Sequence, residues 1–205
     1  SLDYTNPKIG PAVNTGGSSS RENDRTFSWT WNNILTYDKT LGEHHFNLLA
    51  GQEAYSYRYD VLRASRSNMA LPDFPELAVG SLVTGGTGYR VDYSLVGYFL
   101  NAQYDYQSKY FFSGSYRRDG SSRFAPETRW GNFWSVGASW RIDREDFMVA
   151  ASDWLSALTL KVSYGAQGND NLGTYYASSG LYSVVSNNGE NALVSDRLAT
   201  PKLKW

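Results

Sequence analysis

Four charged side chains stand close together in the chain: Arg117, Arg118, Asp119 and Arg123. A guanidinium presents its N–H donors in a planar fork that suits carboxylates and other polar arrays. The group could therefore form a charged rim that hydrogen-bonds a polar molecule. It could equally hold its own loop through an internal Arg–Asp pair with Arg117 on a wet face, since surface ion pairs are common and weak. Aromatic side chains offer a second chemistry. Tyr89, Tyr175, Tyr176 and Tyr182 fall where no strand period is evident, and ligand contacts concentrate on loops. Trp29, Trp31, Trp134 and Trp140 could stack on sugars. They alternate in strand register with apolar neighbours, which suits a membrane boundary or a packed core better.

Other reactive residue types form no constellation. His44 and His45 are adjacent, so on a strand they face opposite ways and cannot share a metal. Asn169-Asp170-Asn171 beside Gly168 lacks the downstream acidic ligand of a calcium loop. Thr84-Gly85-Gly86-Thr87-Gly88 lacks the Gly-Lys-Ser/Thr of a phosphate loop and reads as a flexible loop. Glu22, Asp24, Glu127 and Glu145 show no pairing of the kind a glycosidase needs. Neither G-x-S-x-G nor H-E-x-x-H occurs. The expectation is a chain that is not an enzyme, with no cofactor and no metal.

Composition narrows the class. The 205 residues carry a formal net charge of -1, so no global field draws nucleic acid. The absence of Cys excludes a disulfide framework and a thiolate metal site. No run of 18 apolar residues encodes a membrane helix. Aromatics make up 16%, including 16 Tyr and 7 Trp, a set of side chains suited to a membrane–water boundary or to sugar binding. The start lacks Met and a secretory signal, and the final Lys202-Leu203-Lys204-Trp205 has a dyad pattern. A piece of something longer is expected.

The elements that must position these residues are strands. Val96, Tyr98, Leu100, Ala102, Tyr104 and Tyr106 alternate with Asn101, Gln103 and Asp105, and Tyr110, Phe112, Gly114 and Tyr116 alternate with Ser113, Ser115 and Arg117. One face is apolar and the other wet. Tyr104, Tyr106 and Tyr110 ring the tight end of this hairpin. Residues 1–25 read as a polar loop or extension with a short strand near Ile9. Strands are expected near 26–38, 44–57, 94–106, 110–118, 130–141 and 157–165. A long connection is expected from Tyr59 to Asp92, a two-turn helix N-capped by Asp143 over 143–155, and a hairpin near Gly180–Val185. Short turns at one end and long loops at the other are what a transmembrane β-barrel needs. The fold class is therefore all-β: up-and-down antiparallel strands, about six of a larger barrel, since the smallest outer-membrane barrels use about eight.

Residues 104–124, containing Tyr116-Arg117-Arg118-Asp119-Gly120-Ser121-Ser122-Arg123-Phe124, resemble the barrel of SusC/RagA-type TonB-dependent outer-membrane transporters. So do Trp134-Ser135-Val136-Gly137-Ala138-Ser139-Trp140, the stretch from Leu160 to Asn169, and the closing Thr200-Pro201-Lys202-Leu203-Lys204-Trp205. The matches fall in the family's order across roughly residues 26–205, which the resemblance makes a partial receptor barrel. It implies a barrel of about 22 strands around a plug. It also implies the outer membrane of a Gram-negative bacterium, import of oligosaccharide or peptide, a SusD-like surface lipoprotein, and a TonB complex acting through a plug region that has no counterpart here. In that setting Trp29, Trp31, Tyr104, Tyr106, Tyr110, Trp134 and Trp140 would form the membrane girdle, facing outer-membrane lipid. The competing reading is a soluble β-sandwich that binds carbohydrate, with its apolar faces packed on one another.

Overall fold

The computed structural model describes residues 1–10, 13 and 16–205. Its strands are β1 (Leu2–Thr5), β2 (Ser18–Leu41), β3 (His44–Met69), β4 (Gly80–Tyr106), β5 (Tyr110–Ser121), β6 (Trp130–Arg141), β7 (Thr159–Ala166), β8 (Leu181–Asn187) and β9 (Glu190–Arg197). Strands β1 to β7 form one sheet in sequence order, and β8 and β9 form a separate hairpin. The chain divides into two compact units: Ser1–Trp29 with Tyr57–Asp92, and Thr30–Ser56 with Tyr93–Trp205.

In the second unit the alternation in sequence becomes rows across strands. Tyr106 stands opposite Tyr110 and Tyr110 opposite Trp140, which faces Leu160. The next rows on that face are Tyr104–Phe112–Ala138–Val162, Ala102–Gly114–Val136–Tyr164 and Leu100–Tyr116–Trp134–Ala166. The other face carries Asp105–Phe111–Ser139–Lys161 and Gln103–Ser113–Gly137–Ser163. A dyad keeps this order only without a one-residue slip, which would exchange the faces. The β4–β5 turn is closed by Gln107 and Ser108, both at φ 52°, and by the Lys109 amide donating to the Tyr106 carbonyl (3.0 Å). At Asn188 (φ 56°) and Gly189 (φ 89°) the β8–β9 hairpin has the two positive φ values that a two-residue hairpin turn requires.

The apolar face is not covered. Val136, Val162 and Tyr164 are exposed, as are Trp134, Leu100 and Phe112. The sandwich expectation fails on this point, because sheet-on-sheet packing would bury these side chains. Burial in this unit concentrates instead at the end of β5, around Ser121, Phe124, Ala125 and Ala177.

The first unit corrects several expectations. The early strand is β1, at Leu2–Thr5 rather than near Ile9, paired with Ser18–Arg21. Pro11, Ala12, Asn14 and Thr15 of the expected loop lie outside the described residues. The expected long connection from Tyr59 to Asp92 is mostly strand. Strand β3 continues to Met69 and β4 begins at Gly80, leaving a short link with a 3-10 turn at Leu77–Val79. The Thr84–Gly88 glycine run therefore lies within β4. Polar cross-strand partners replace hydrophobic alternation here: Arg58 donates to Asp92 (2.8 Å), Arg90 to Asp60 (2.6 Å) and Thr84 to Ser65 (3.1 Å). Strands held this way, with polar side chains on both faces, carry no apolar period for a sequence to display. The expected helix over 143–155 is two 3-10 turns, Ile142–Arg144 and Asp146–Ala151. Asp143 does not cap it, because its carboxylate accepts from Arg141 instead (2.6 Å).

Candidate functional site

The polar face of the second unit is built from small side chains at its centre. Ser113, Gly137 and Ser163 share a row, and the Ser115 and Ser135 hydroxyls bond each other at 2.6 Å. These short residues leave an open groove of about 490 Å³, bordered by His45, Asp105, Phe111 and Lys161. His45 bridges two strands through Asp105 (2.8 Å) and Asp38 (3.1 Å), while His44 turns the other way to Tyr104 (2.8 Å). Hydroxyls, an amide, a carboxylate and an ammonium can hydrogen-bond a polar solute. Among the described residues no three His, Asp or Glu could hold a metal.

Further along this face, Arg117 Nε donates to both oxygens of Asp119 (2.7 Å each), and its Nη2 lies 3.5 Å from Glu53. The guanidinium sits over the Phe99 ring, 5.5 Å from its centroid. Two glycines make this possible. A Cβ at Gly97 would overlap Asp119 Oδ1, and one at Gly51 would overlap the Phe99 ring. Arg118 stands on the opposite face, over the Trp130 ring at 5.1 Å.

Arg123 belongs to a third environment. Its guanidinium lies between the rings of Tyr93 (4.6 Å) and Tyr175 (4.8 Å) and donates to the Asp170 carbonyl (2.8 Å). Asp170 also accepts from the Tyr93 hydroxyl (2.6 Å) and from Ser121 (2.9 Å). Phe124 packs on Trp205 (5.2 Å), whose indole donates to the Arg129 carbonyl (2.7 Å). The Arg-Asp-Gly-Ser-Ser-Arg-Phe motif is thus the centre of a folded loop.

The apolar face ends in aromatic rows. At the tight-turn end, Tyr106 stacks on Tyr110 and Tyr110 on Trp140, at 6.4 Å each. Glu145, in the β6–β7 link, accepts from Tyr110 (2.5 Å), Trp140 (2.8 Å) and Lys109 (3.3 Å). The Tyr110 bond first, then that of Trp140, holds its carboxyl below the usual range. At the other end Tyr98 stacks on Trp130 (6.4 Å), and Tyr116 donates to Asn132 (2.8 Å). Tyr98 and Tyr106 stand about 27 Å apart along β4 at roughly 3.4 Å per residue.

The four charged residues singled out in the sequence therefore separate into three places. Tyr89 is a strand residue, edge-on to Tyr59 at 6.3 Å, and Tyr182 lies exposed on β8. Tyr175 packs in the loop cluster, and the Tyr176 amide bonds Thr174 (3.4 Å). Trp29 and Trp31 are exposed on β2. Sequence reasoning missed Glu53, Phe99, Tyr93, Asp170 and the carboxylate of Glu145 as partners. Only the strand parity of Glu53 and Phe99 carried a signal, since both fall on the polar face.

No protein-family model matches the chain. It is 31% identical over 212 residues to TonB-dependent receptor P39 of Formosa agariphila, a match that covers 100% of this chain and 20% of that protein. It is 30% identical over 161 residues to TonB-dependent receptor SusC of Bacteroides thetaiotaomicron, covering 78% of this chain and 16% of SusC. The structure of the RagAB peptide transporter superposes with a TM-score of 0.85 at 27% identity, over 92% of this chain and 21% of that one. The chain spans about a fifth of the length of the curated relatives it matches.

Proposed function

We infer, for a chain that belongs to the SusC/RagA-type TonB-dependent transporters, that its sheet is a stretch of outer-membrane barrel wall. The apolar rows face lipid and the polar rows face the lumen. The whole protein imports an oligosaccharide or peptide with a SusD-like lipoprotein at the surface. A TonB complex drives it through a plug outside these residues. The work is binding and gated passage rather than covalent chemistry.

The observation that carries this reading is the two-faced register between two aromatic rows. One face offers only apolar and aromatic side chains between Tyr106 and Leu100, and the other only polar, small and ring side chains. Water has no use for the first face. A bilayer does, and it favours Tyr and Trp at its boundaries. On this reading Tyr104, Tyr106, Tyr110 and Trp140 serve as girdle at the tight-turn boundary, and Trp29, Trp31 and Trp134 are further girdle residues. The outer edge of β7, and the outer edge of β2 beyond Arg21, have no strand partner among the described residues, which suits a wall that continues on both sides. Arg117 and Asp119 are the substrate-contact candidates of greatest weight, being on the lumen side. Arg118, Arg123 and Tyr175 act as packing groups.

The test is uptake. Cells lacking the full-length protein, or carrying it with TonB coupling abolished, should lose import of one oligosaccharide or peptide pool. Unchanged import of every such pool would overturn the reading.

A further inference from the structure

We propose that Arg25, Arg58 and Arg90 form a site for the phosphate of an anionic lipid headgroup. The proposal rests on the barrel-wall reading, because it requires Phe27 and Trp29 to meet lipid. The three guanidiniums line one depression of about 240 Å³ with Phe27 and Asp60.

Strand alternation explains why they meet. Arg25, Phe27 and Trp29 follow at two-residue steps on β2 and share a face. Tyr59 and Tyr89 meet on the opposite face, where Tyr59 also reaches Asp24. Their sequence neighbours Arg58, Asp60 and Arg90 therefore point to the side of Phe27. Arg58 pairs with Asp92 through Nε (2.8 Å) and Arg90 with Asp60 (2.6 Å).

The charges do not cancel. Three guanidiniums face two carboxylates, and Arg25 has no carboxylate partner among the described residues. Arg58 meets Asp92 through Nε rather than through its Nη groups. A guanidinium fork matches phosphate oxygens. Phe27 and Trp29, 57% and 45% exposed, stand next to this positive excess on the same strand face. Exposed rings beside basic side chains suit a ligand that is acyl chain at one end and anion at the other. A soluble acidic partner would leave the rings without a role.

The probe is phosphorylated lipid A, against dephosphorylated lipid A and inorganic phosphate, added to the full-length transporter in detergent and read by native mass spectrometry. Wild-type protein should retain the phosphorylated lipid preferentially. Arg25→Gln should cut that retention about fivefold, the worth of one basic side chain near a charged headgroup. Equal retention of both lipids by the wild type overturns the proposal, and so does unchanged retention by Arg25→Gln. So does inorganic phosphate filling the site without any lipid preference. The wild-type comparison needs no variant to fold. Quenching of Trp29 by brominated acyl chains separates the two readings: no quenching removes the barrel wall itself, whereas quenching without phosphate selectivity removes only this site.

Discussion

The Tyr110 hydroxyl donates to the Glu145 carboxylate at 2.5 Å, and the Trp140 indole meets the same oxygen at 2.8 Å. A link outside the strands thus fixes the polar tips of two stacked rings on neighbouring strands. The carboxyl is held below its ordinary pKa by these bonds. A depressed carboxylate stabilises the fold above the unfolded pKa of about 4.3. That contribution is lost as pH falls through the folded value. Acid unfolding of the full-length barrel in micelles should therefore begin at higher pH in wild type than a charge-free baseline would give. Glu145→Gln should show a flatter acid limb together with lower stability at pH 7. An unchanged acid limb would remove Glu145 from this role.

Gly51 and Phe99 make a pair that substitution can separate. Gly51→Ala places a methyl group into the Phe99 ring, and overpacking of this kind costs about 1–3 kcal/mol. Phe99→Leu, which clears the space, should restore much of the loss in the double variant. Denaturant unfolding of the four-member cycle measures the coupling. Additive effects would mean that the ring does not rest on the glycine.

Arg123 should matter to stability more than to transport. Removing it strips the cation from between Tyr93 and Tyr175, worth about 2 kcal/mol for a desolvated pair. Arg123→Lys should recover little, because an ammonium does not stack as a planar fork does. Arg117→Ala should instead weaken substrate binding with a smaller effect on unfolding. Titration calorimetry alongside unfolding curves distinguishes the two. The reverse pattern would exchange their roles.

The legible part of this fold was the part under a period-2 constraint. From Val96 to Tyr106, Tyr110 to Tyr116 and Trp134 to Trp140 one face is apolar, so position in sequence gave face and register together. Where both faces carry polar side chains, as around Arg58–Asp92 and Asp60–Arg90, strands read as a loop. The apparent helix over 143–155 was composition without its cap, since Asp143 serves Arg141. Contacts between Arg123, Tyr93 and Asp170 join residues far apart in the chain, and no local spacing encodes them. The Arg117–Asp119 pair lay two residues apart on one strand and was readable for that reason.

Charge placed on each face gives opposite outcomes. Val136→Arg should destabilise the inserted protein by about 2–4 kcal/mol, the cost of a cation near the middle of a lipid face. Ser135→Arg, one residue away, should cost far less because it lies on the polar face opposite Ser115. Urea unfolding in liposomes reads both. Similar losses would mean that the two faces are not distinguished by lipid.

The most direct measurement is a single-cysteine scan of β6 from Phe133 to Ser139 in the full-length protein in liposomes. A water-soluble thiol reagent and a bromolipid-quenched fluorophore would be applied at each position. The account predicts strict alternation: Phe133, Ser135, Gly137 and Ser139 label from water, while Trp134, Val136 and Ala138 are quenched by lipid. Uniform aqueous labelling, or alternation of the opposite phase, would contradict it.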